Sequence, residues 1–471
     1  MTTECTQESL WFSRQSGRQV VARFDGGSLT SDGGGLLLHE VERRTGILRQ
    51  FAACFTDHRE AKQVEHTVEE LVSQRVYGLA LGYEDLNDHD ELRRDPLLAT
   101  LVGKADPLGR DRTRTRDRGA ALAGKSTLNR LELTRPETAA TSRYKKILLE
   151  GEAVDRLLVD VFLQAHRRAP QQIVLDLDAT DDPLHGRQEG RFFHGYYGCY
   201  CYLPLYIFCG EHLLGARLRP SDIDASAGAL EEVQRIVGQI RSRWPKVCIV
   251  LRADSGFARE SIMAWCEGSG VDYVFGLAKN ARLNRVLGRE LHQVKRECER
   301  TGRAARLFKT FRYRTRKTWS RSRRVVGKAE HLPNKSNPRF VVTSLALEEW
   351  DDRSLYEDLY CARGDMENRI KEQQLYLFAD RTSTATLRGN QIRLYFSSVA
   401  YLLMEALRRL GLKGTPLARA QCHTIRLKLL KIGAQIRVTV RKVWVSLASG
   451  SPHAALFARV CANLHAVPLR T

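Results

Sequence analysis

The chain has 471 residues, 43% of them hydrophobic and 28% charged, so it can bury the cores of two or three domains and is too apolar to be mostly disordered. Lys and Arg number 75 against 55 Asp and Glu, a formal charge of +20 that points to an anionic partner, nucleic acid above all. No apolar run reaches the roughly 18–20 residues of a membrane helix, and Met1 to Val20 lacks the apolar stretch of a signal peptide; the expectation is a cytoplasmic protein with no membrane partner. The eleven cysteines, from Cys5 to Cys461, read as reduced structural thiols. His194, Cys199, Cys201 and Cys209 lie near one another in sequence but lack the paired spacing of a zinc site.

Residues 1–170 read as a helical N-terminal region. Apolar residues at three- and four-residue spacing predict helices over Gly35 to Phe55, Thr67 to Tyr83 and Leu92 to Val102, and a long amphipathic helix over Ser142 to His166. Arg110 to Arg118 is too polar to bury and reads as an exposed basic strip. Gly119 to Ser126 matches a phosphate-binding loop, G-x4-G-K-[ST], letter for letter. That loop needs a buried strand before it, and Arg112 to Arg118 cannot supply one. Lys125 and Arg130 are read instead as DNA-facing residues on a helix or its cap.

The texture changes at Gln172. Ile173 to Asp178 is a short apolar strand ending in acids. Two further β-rich runs, Phe192 to Cys209 and His212 to Leu218, are joined by Gly210-Glu211 as in a hairpin. A helix over Ala225 to Trp244 follows, with Val233, Ile236, Val237 and Ile240 on one face. Val247 to Leu251 is a second buried strand, leading to Asp254-Ser-Gly256; a short helix and the strand Asp272 to Gly276 come next. Strand, hairpin, helix, strand, helix, strand is the order of an RNase H-like core, read here over 171–281 and 351–411. Between them, 282–350 reads as an inserted β-rich domain. Helical patterns return at Ser354 to Phe378 and Leu387 to Leu410. The region 412–471 is basic: from Ala406 onward there are 12 Lys or Arg and no Asp or Glu.

Three places carry chemistry. Asp176 and Asp178 fall on one face of their strand by its period of two, with Asp181 and Asp182 in the turn beyond. Gathered carboxylates repel unless a cation offsets them, and hard divalent cations take carboxylate oxygens; turn capping is the simpler alternative. Asp254 leaves a second strand in the same way. In Tyr360-Cys-Ala-Arg363-Gly-Asp-Met-Glu367-Asn-Arg-Ile-Lys371, helical winding makes Arg363, Glu367 and Lys371 successive i+4 neighbours. Alone, such a run reads as a solvated face.

Together these segments resemble the bacterial insertion-sequence transposases of the DDE class, and more narrowly the IS thirteen-eighty family of the IS-four-like group. Phe55 to His58, Tyr83 to Asp90, Ala123 to Glu132, Gly190 to Tyr197 and Asp365 to Lys371 extend the likeness over nearly the whole chain. The resemblance implies a DNA transposase that cleaves the ends of an insertion sequence and transfers them to a target. It implies Asp178, Asp254 and Glu367 as a catalytic triad holding two Mg²⁺ ions, with Mn²⁺ as a substitute. It implies Tyr360 and Arg363 as contacts to the DNA backbone. Where the related pattern has a lysine seven residues after the glutamate, this chain has Gln374, and Lys371 is the candidate substitute. Arg312, Arg314, Arg316, Lys317 and Trp319 read as a clamp on distorted DNA. Partners are then double-stranded DNA, as terminal inverted repeats and target, and a second copy in a homodimer on DNA; the location is the bacterial nucleoid. A DNA-binding regulator without catalysis is the other class, and it predicts no divalent-metal requirement.

Overall fold

The computed structural model describes residues 9–469; Cys5, the stretch up to Glu8, and Arg470 of the basic tail lie outside them. The chain forms two compact units, one of Glu150–Leu402 and one of Met1–Leu149 with Leu403–Thr471. The helix Gly151–Ala165 therefore belongs to the first of these units, and residues 403–471 group with the N-terminal residues in the second.

The Glu150–Leu402 unit is built on a large mixed sheet. Its main strands are β1 (Gln172–Ala179), β2 (Leu205–Cys209), β3 (His212–Arg217), β4 (Cys248–Ala253), β5 (Asp272–Leu277), β6 (Ala305–Tyr313), β7 (Arg323–Leu332) and β8 (Arg339–Thr343). Their spatial order is β3-β2-β1-β4-β5-β8-β7-β6. β1, β4 and β5 run parallel, while β2 and β3 form the expected hairpin, with β2 paired antiparallel to β1 and β3 at the sheet edge antiparallel to β2. The segment 282–350 begins with two helices, Ala281–Val286 and Gly288–Thr301, and its strands β6 to β8 extend this same sheet through β8 pairing with β5.

Strand alternation sorts the core into two layers. On one face Leu175, Leu177, Ile249, Leu251, Tyr273 and Phe275 pack against α1 (Gly151–Ala165), α2 (Ala229–Arg243) and α3 (Glu260–Ser269) through Phe162, Val233, Ile236 and Ile262. On the other face Val250, Val274, Val326 and Val341 pack against Leu355 and Leu359. That second helical segment runs from Asp352 through a π turn, Leu355–Tyr360, and a 3-10 turn, Cys361–Arg363, into α4 (Gly364–Leu377). Where an uninterrupted helix is predicted over Ser354 to Phe378, the winding changes twice just before α4, a feature often found at functional sites.

In the other unit, Val68–Leu81 is a helix capped by Thr67 and Glu70 in a reciprocal capping box and closed by Gly82 in the left-handed region. Gly46, at φ +63°, splits Gly35–Thr45 from Ile47–Ala52 where one helix was expected. The expected Ser142 to His166 helix starts only at Gly151, because Ile147–Leu149 is a strand paired with Phe55–Asp57. The tail strands Ala434–Val438 and Val443–Leu447 form a sheet with Ser28–Thr30. The stretch before Lys125 contains a 3-10 turn, Thr115–Asp117, and not the buried strand a phosphate-binding loop requires. No described helix is long and apolar enough to cross a membrane.

Candidate active site

Parallel pairing of β1 with β4 sets Asp176 beside Arg252 and Leu177 beside Ala253. The next residue on each strand is an aspartate, Asp178 on β1 and Asp254 just past β4. Both share the parity of Val250, so they fall on the face covered by the segment that carries α4. Asp254 ends its strand by capping a 3-10 turn, its Oδ1 accepting the Gly256 N–H at 2.8 Å. Glu367 lies in the first turn of α4. Asp178, Asp254 and Glu367, from three separate elements, line one cavity of about 720 Å³ together with Arg363, Lys371 and Gln374.

Arg363 bridges two of these acids. Its Nη1 lies 3.2 Å from Asp178 Oδ2 and its Nη2 lies 2.8 Å from Glu367 Oε1. Burial pushes the Asp178 carboxyl up to about 6; Arg363 opposes that rise, and the neighbouring Asp254 and Glu367 charges add to it. The donors are all carboxylate oxygens, which suit a hard divalent cation in kind. As they stand, no three His, Cys, Asp or Glu among the described residues are gathered closely enough to hold a metal ion. The positive charge between Asp178 and Glu367 is supplied by the Arg363 guanidinium.

Asp176 is engaged elsewhere. It is buried, and Arg252 grips it in a two-pronged pair, Nε to Oδ1 at 2.5 Å and Nη2 to Oδ2 at 2.8 Å, while Arg252 Nη1 donates to the Leu359 carbonyl at 2.6 Å. Gln374 also has a task of its own: its Nε2 donates to Asp182 Oδ1 at 2.7 Å and to the Asp181 carbonyl at 3.1 Å, holding the turn beyond β1. Lys371 is exposed at the cavity wall. Tyr360 lines an adjoining cavity of about 300 Å³ with Ser255, Lys279 and Arg339. Its hydroxyl sits where any side chain at Gly276 would come within 2.6 Å, so the glycine makes room for the ring.

The other sequence candidates divide. Arg312, Arg314, Arg316 and Lys317 are exposed, but Trp319 is only 4% exposed, its ring edge-on to Tyr313 at 5.7 Å. Trp319 is a core residue and not a free stacking ring. Lys125 opens the helix Lys125–Leu133 in the other unit, its Nζ 3.2 Å from Asp90 and 3.1 Å from Asn87; Arg130 of the same helix lies over the Tyr144 ring at 5.5 Å. All ten cysteines among the described residues are free thiols.

The reading from sequence missed the Asp176–Arg252 pair. The signal was present: Arg252 precedes Asp254 by the two residues that separate Asp176 from Asp178. It also missed the aromatic ribbon at Phe192 to Tyr200, whose residues His194, Tyr196 and Tyr197 line the cavity beside the acids.

Residues 12–469 match the family model described as Transposase DDE domain group 1. No curated protein matches the chain significantly. Among solved structures, the cryo-EM structure of the piggyBac transposase synaptic complex with hairpin DNA is similar at 13% identity, covering 85% of this chain and 80% of that one, with a TM-score of 0.37.

Proposed function

Because this chain belongs to the transposase DDE domain group 1 family, it is a DNA transposase, and we propose that Asp178, Asp254 and Glu367 are its catalytic carboxylates. One observation carries the assignment: three acids from two neighbouring strand ends and one helix line a single cavity. Asp178 is preferred over Asp176 because Asp176 is already neutralised and buried by Arg252.

The strand order β3-β2-β1-β4-β5, with β2 antiparallel to its neighbours, supports an RNase H-like core, and β6 to β8 then form the extension read from sequence as an insert. The three carboxylates would hold Mg²⁺ as a pair of ions, with Mn²⁺ able to substitute. A divalent cation bound there makes a water or a DNA 3′-hydroxyl nucleophilic and stabilises the leaving oxygen. Arg363 pairs with Asp178 and Glu367 and favours their charged forms; with a cation held by those acids its guanidinium would be available to a DNA phosphate. Lys371, one helical turn past Glu367, offers an exposed ammonium to the same strand and takes the place of the lysine replaced by Gln374. Arg312, Arg314, Arg316 and Lys317 track the backbone on the sheet extension, and Lys125 and Arg130 belong to the recognition of the terminal inverted repeats. The narrower placement in the IS thirteen-eighty family, a homodimer on DNA and a nucleoid location complete the reading.

The test is incubation of the purified protein with a cognate element end and Mg²⁺ or Mn²⁺, followed by mapping of the cut strand. A metal-dependent nick leaving a 3′-hydroxyl at the element boundary is expected. Tight, salt-sensitive binding with no metal-dependent cut at any end would instead assign the chain to a non-catalytic DNA-binding role.

A further inference from the structure

The chain between β1 and β2 forms a small three-stranded sheet of Asp182–Pro183, Cys199–Tyr202 and Phe192–His194. Its hairpin turns through Gly195-Tyr196-Tyr197-Gly198, closed by the Gly198 N–H donating to the His194 carbonyl at 2.8 Å with Gly198 at φ +69°. The turn is aromatic where turns are usually polar. Tyr196 is 86% exposed and Phe193 58% exposed, with Tyr200 also in solvent. The rings are mutually arranged: Phe193 lies edge-on to Tyr200 at 5.5 Å and Tyr196 edge-on to Tyr197 at 5.0 Å. The Arg191 guanidinium sits 3.7 Å over the Tyr200 ring, adding positive charge.

The ribbon is tied to the acids. Tyr197 donates its hydroxyl to the Ala179 carbonyl, one residue past Asp178, at 3.3 Å. Tyr196 and Tyr197 line the cavity that holds Asp178, Asp254 and Glu367. Several exposed rings on one short hairpin, with Tyr196 at the cavity and Phe193 and Tyr200 paired beside it on the ribbon, are unusual on a soluble surface without a partner. Their continuity with the cavity and the arginine at their edge indicate what that partner is. Drawing a strand toward recessed carboxylates strains the pairing beside the cut phosphate, and a base that unstacks there costs free energy unless another ring replaces its neighbour. An exposed ring accepts any base on its π-face.

We propose that Tyr196, backed by Tyr197 and with Phe193 exposed on the same hairpin, is a stacking platform for unpaired bases of the DNA strand whose phosphate enters the carboxylate cavity. The inference rests on the assignment of that cavity as the catalytic site. The platform does no chemistry; it holds the strand open beside the cut.

The experiment compares binding, without metal, of an element end carrying mismatched bases beside the cut phosphate with the same end fully paired. Wild-type protein binds the mismatched end more tightly. Tyr196→Ala and the double variant Phe193→Ala/Tyr196→Ala lose that preference by about 5- to 150-fold in relative affinity, while Tyr196→Trp retains it. Asp254→Asn is run alongside and is expected to keep the preference while cutting neither end. Should Tyr196→Ala and the double variant discriminate as well as wild type while Asp254→Asn is cleavage-dead, the platform is refuted and the catalytic assignment stands. If Asp254→Asn still cuts, the assignment itself fails and takes the platform with it. If wild-type protein is a DNA-free dimer that Tyr196→Ala dissociates, the ribbon is a contact between copies and the proposal is overturned.

Discussion

Arg363 and Asp178 are 185 residues apart in sequence, yet the Arg363 guanidinium stands 3.2 Å from the Asp178 carboxylate while its other arm reaches Glu367. An arginine is thus lodged where the proposed chemistry calls for a divalent cation. Two positive charges at one carboxylate pair compete, so on the proposed assignment the arginine and a divalent cation would be alternatives at Asp178 and Glu367.

Removing that competitor has a sign opposite to the usual loss of function. Arg363→Gln is predicted to bind Mn²⁺ about three- to tenfold more tightly than wild type in the absence of DNA, read by paramagnetic titration at pH 8. Its end cleavage should nevertheless fall, since the guanidinium is also the proposed phosphate contact. Unchanged or weaker Mn²⁺ binding by this variant would show that Arg363 does not occupy the cation's place.

The Asp176–Arg252 pair predicts a stability defect separate from catalysis. Asp176→Asn leaves a buried guanidinium without its counter-charge, a loss of roughly 3–5 kcal/mol, which in a unit of this size lowers the melting temperature by on the order of 10 °C. The protein that remains folded should still cut DNA. Thermal melting and a cleavage assay below the transition separate this outcome from the silent active site expected of Asp178→Asn.

Asp182 gives a pH dependence. It is fully buried, and burial pushes its carboxyl up to about 8 even though Gln374 donates a hydrogen bond to it. The folded state then holds a proton that the unfolded chain, near its ordinary value of 3.8, releases. The stability from protonated Asp182 is full below about pH 4 and drains away as pH rises toward 8. Asp182→Asn should flatten this component, so the difference in melting temperature between variant and wild type widens in the variant's favour from pH 5 to pH 8. A constant difference across that range would contradict a neutral Asp182.

Trp319 and its basic neighbours should separate cleanly. Trp319→Ala opens a cavity against Tyr313 and is expected to cost about 3–5 kcal/mol of stability, with the salt dependence of DNA binding unchanged. Arg316→Gln or Lys317→Gln should leave melting untouched and each reduce the slope of log affinity against log salt by about 1 if its cation meets a phosphate. Filter binding at several salt concentrations reads the slope directly.

These contrasts follow from how far local pattern reaches. β1 and β4 are legible because strands buried on both faces read as unbroken apolar runs, and an acid at each end stands out against them. The hairpin over Leu205 to Arg217 is legible for the same local reason, its Gly210 turn. The Arg363–Glu367 pair is visible as an i+4 spacing, but the arm to Asp178 is not, since it depends on tertiary packing that brings the Cys361–Arg363 turn to Asp178, 185 residues away in sequence. The burial of Trp319 is not legible, because alternating rings and cations suit both a DNA-facing strip and a half-buried sheet. Extension of the main sheet decides for the second, turning Tyr313 inward and leaving Arg312 and Arg314 outside. The π turn before α4 leaves no trace in composition, because a change of winding is set by packing of Leu355 and Leu359 against the sheet.

The most direct test substitutes each acid by its neutral isostere. Asp178→Asn, Asp254→Asn and Glu367→Gln are each predicted to hold an element end with an affinity near that of wild type while Mg²⁺- or Mn²⁺-dependent cutting falls by at least about 10³-fold, the scale of losing electrostatic support at a reacting centre. Wild-type cutting rates in all three variants, with binding intact, would show that the acids meeting in this cavity are not what breaks the DNA.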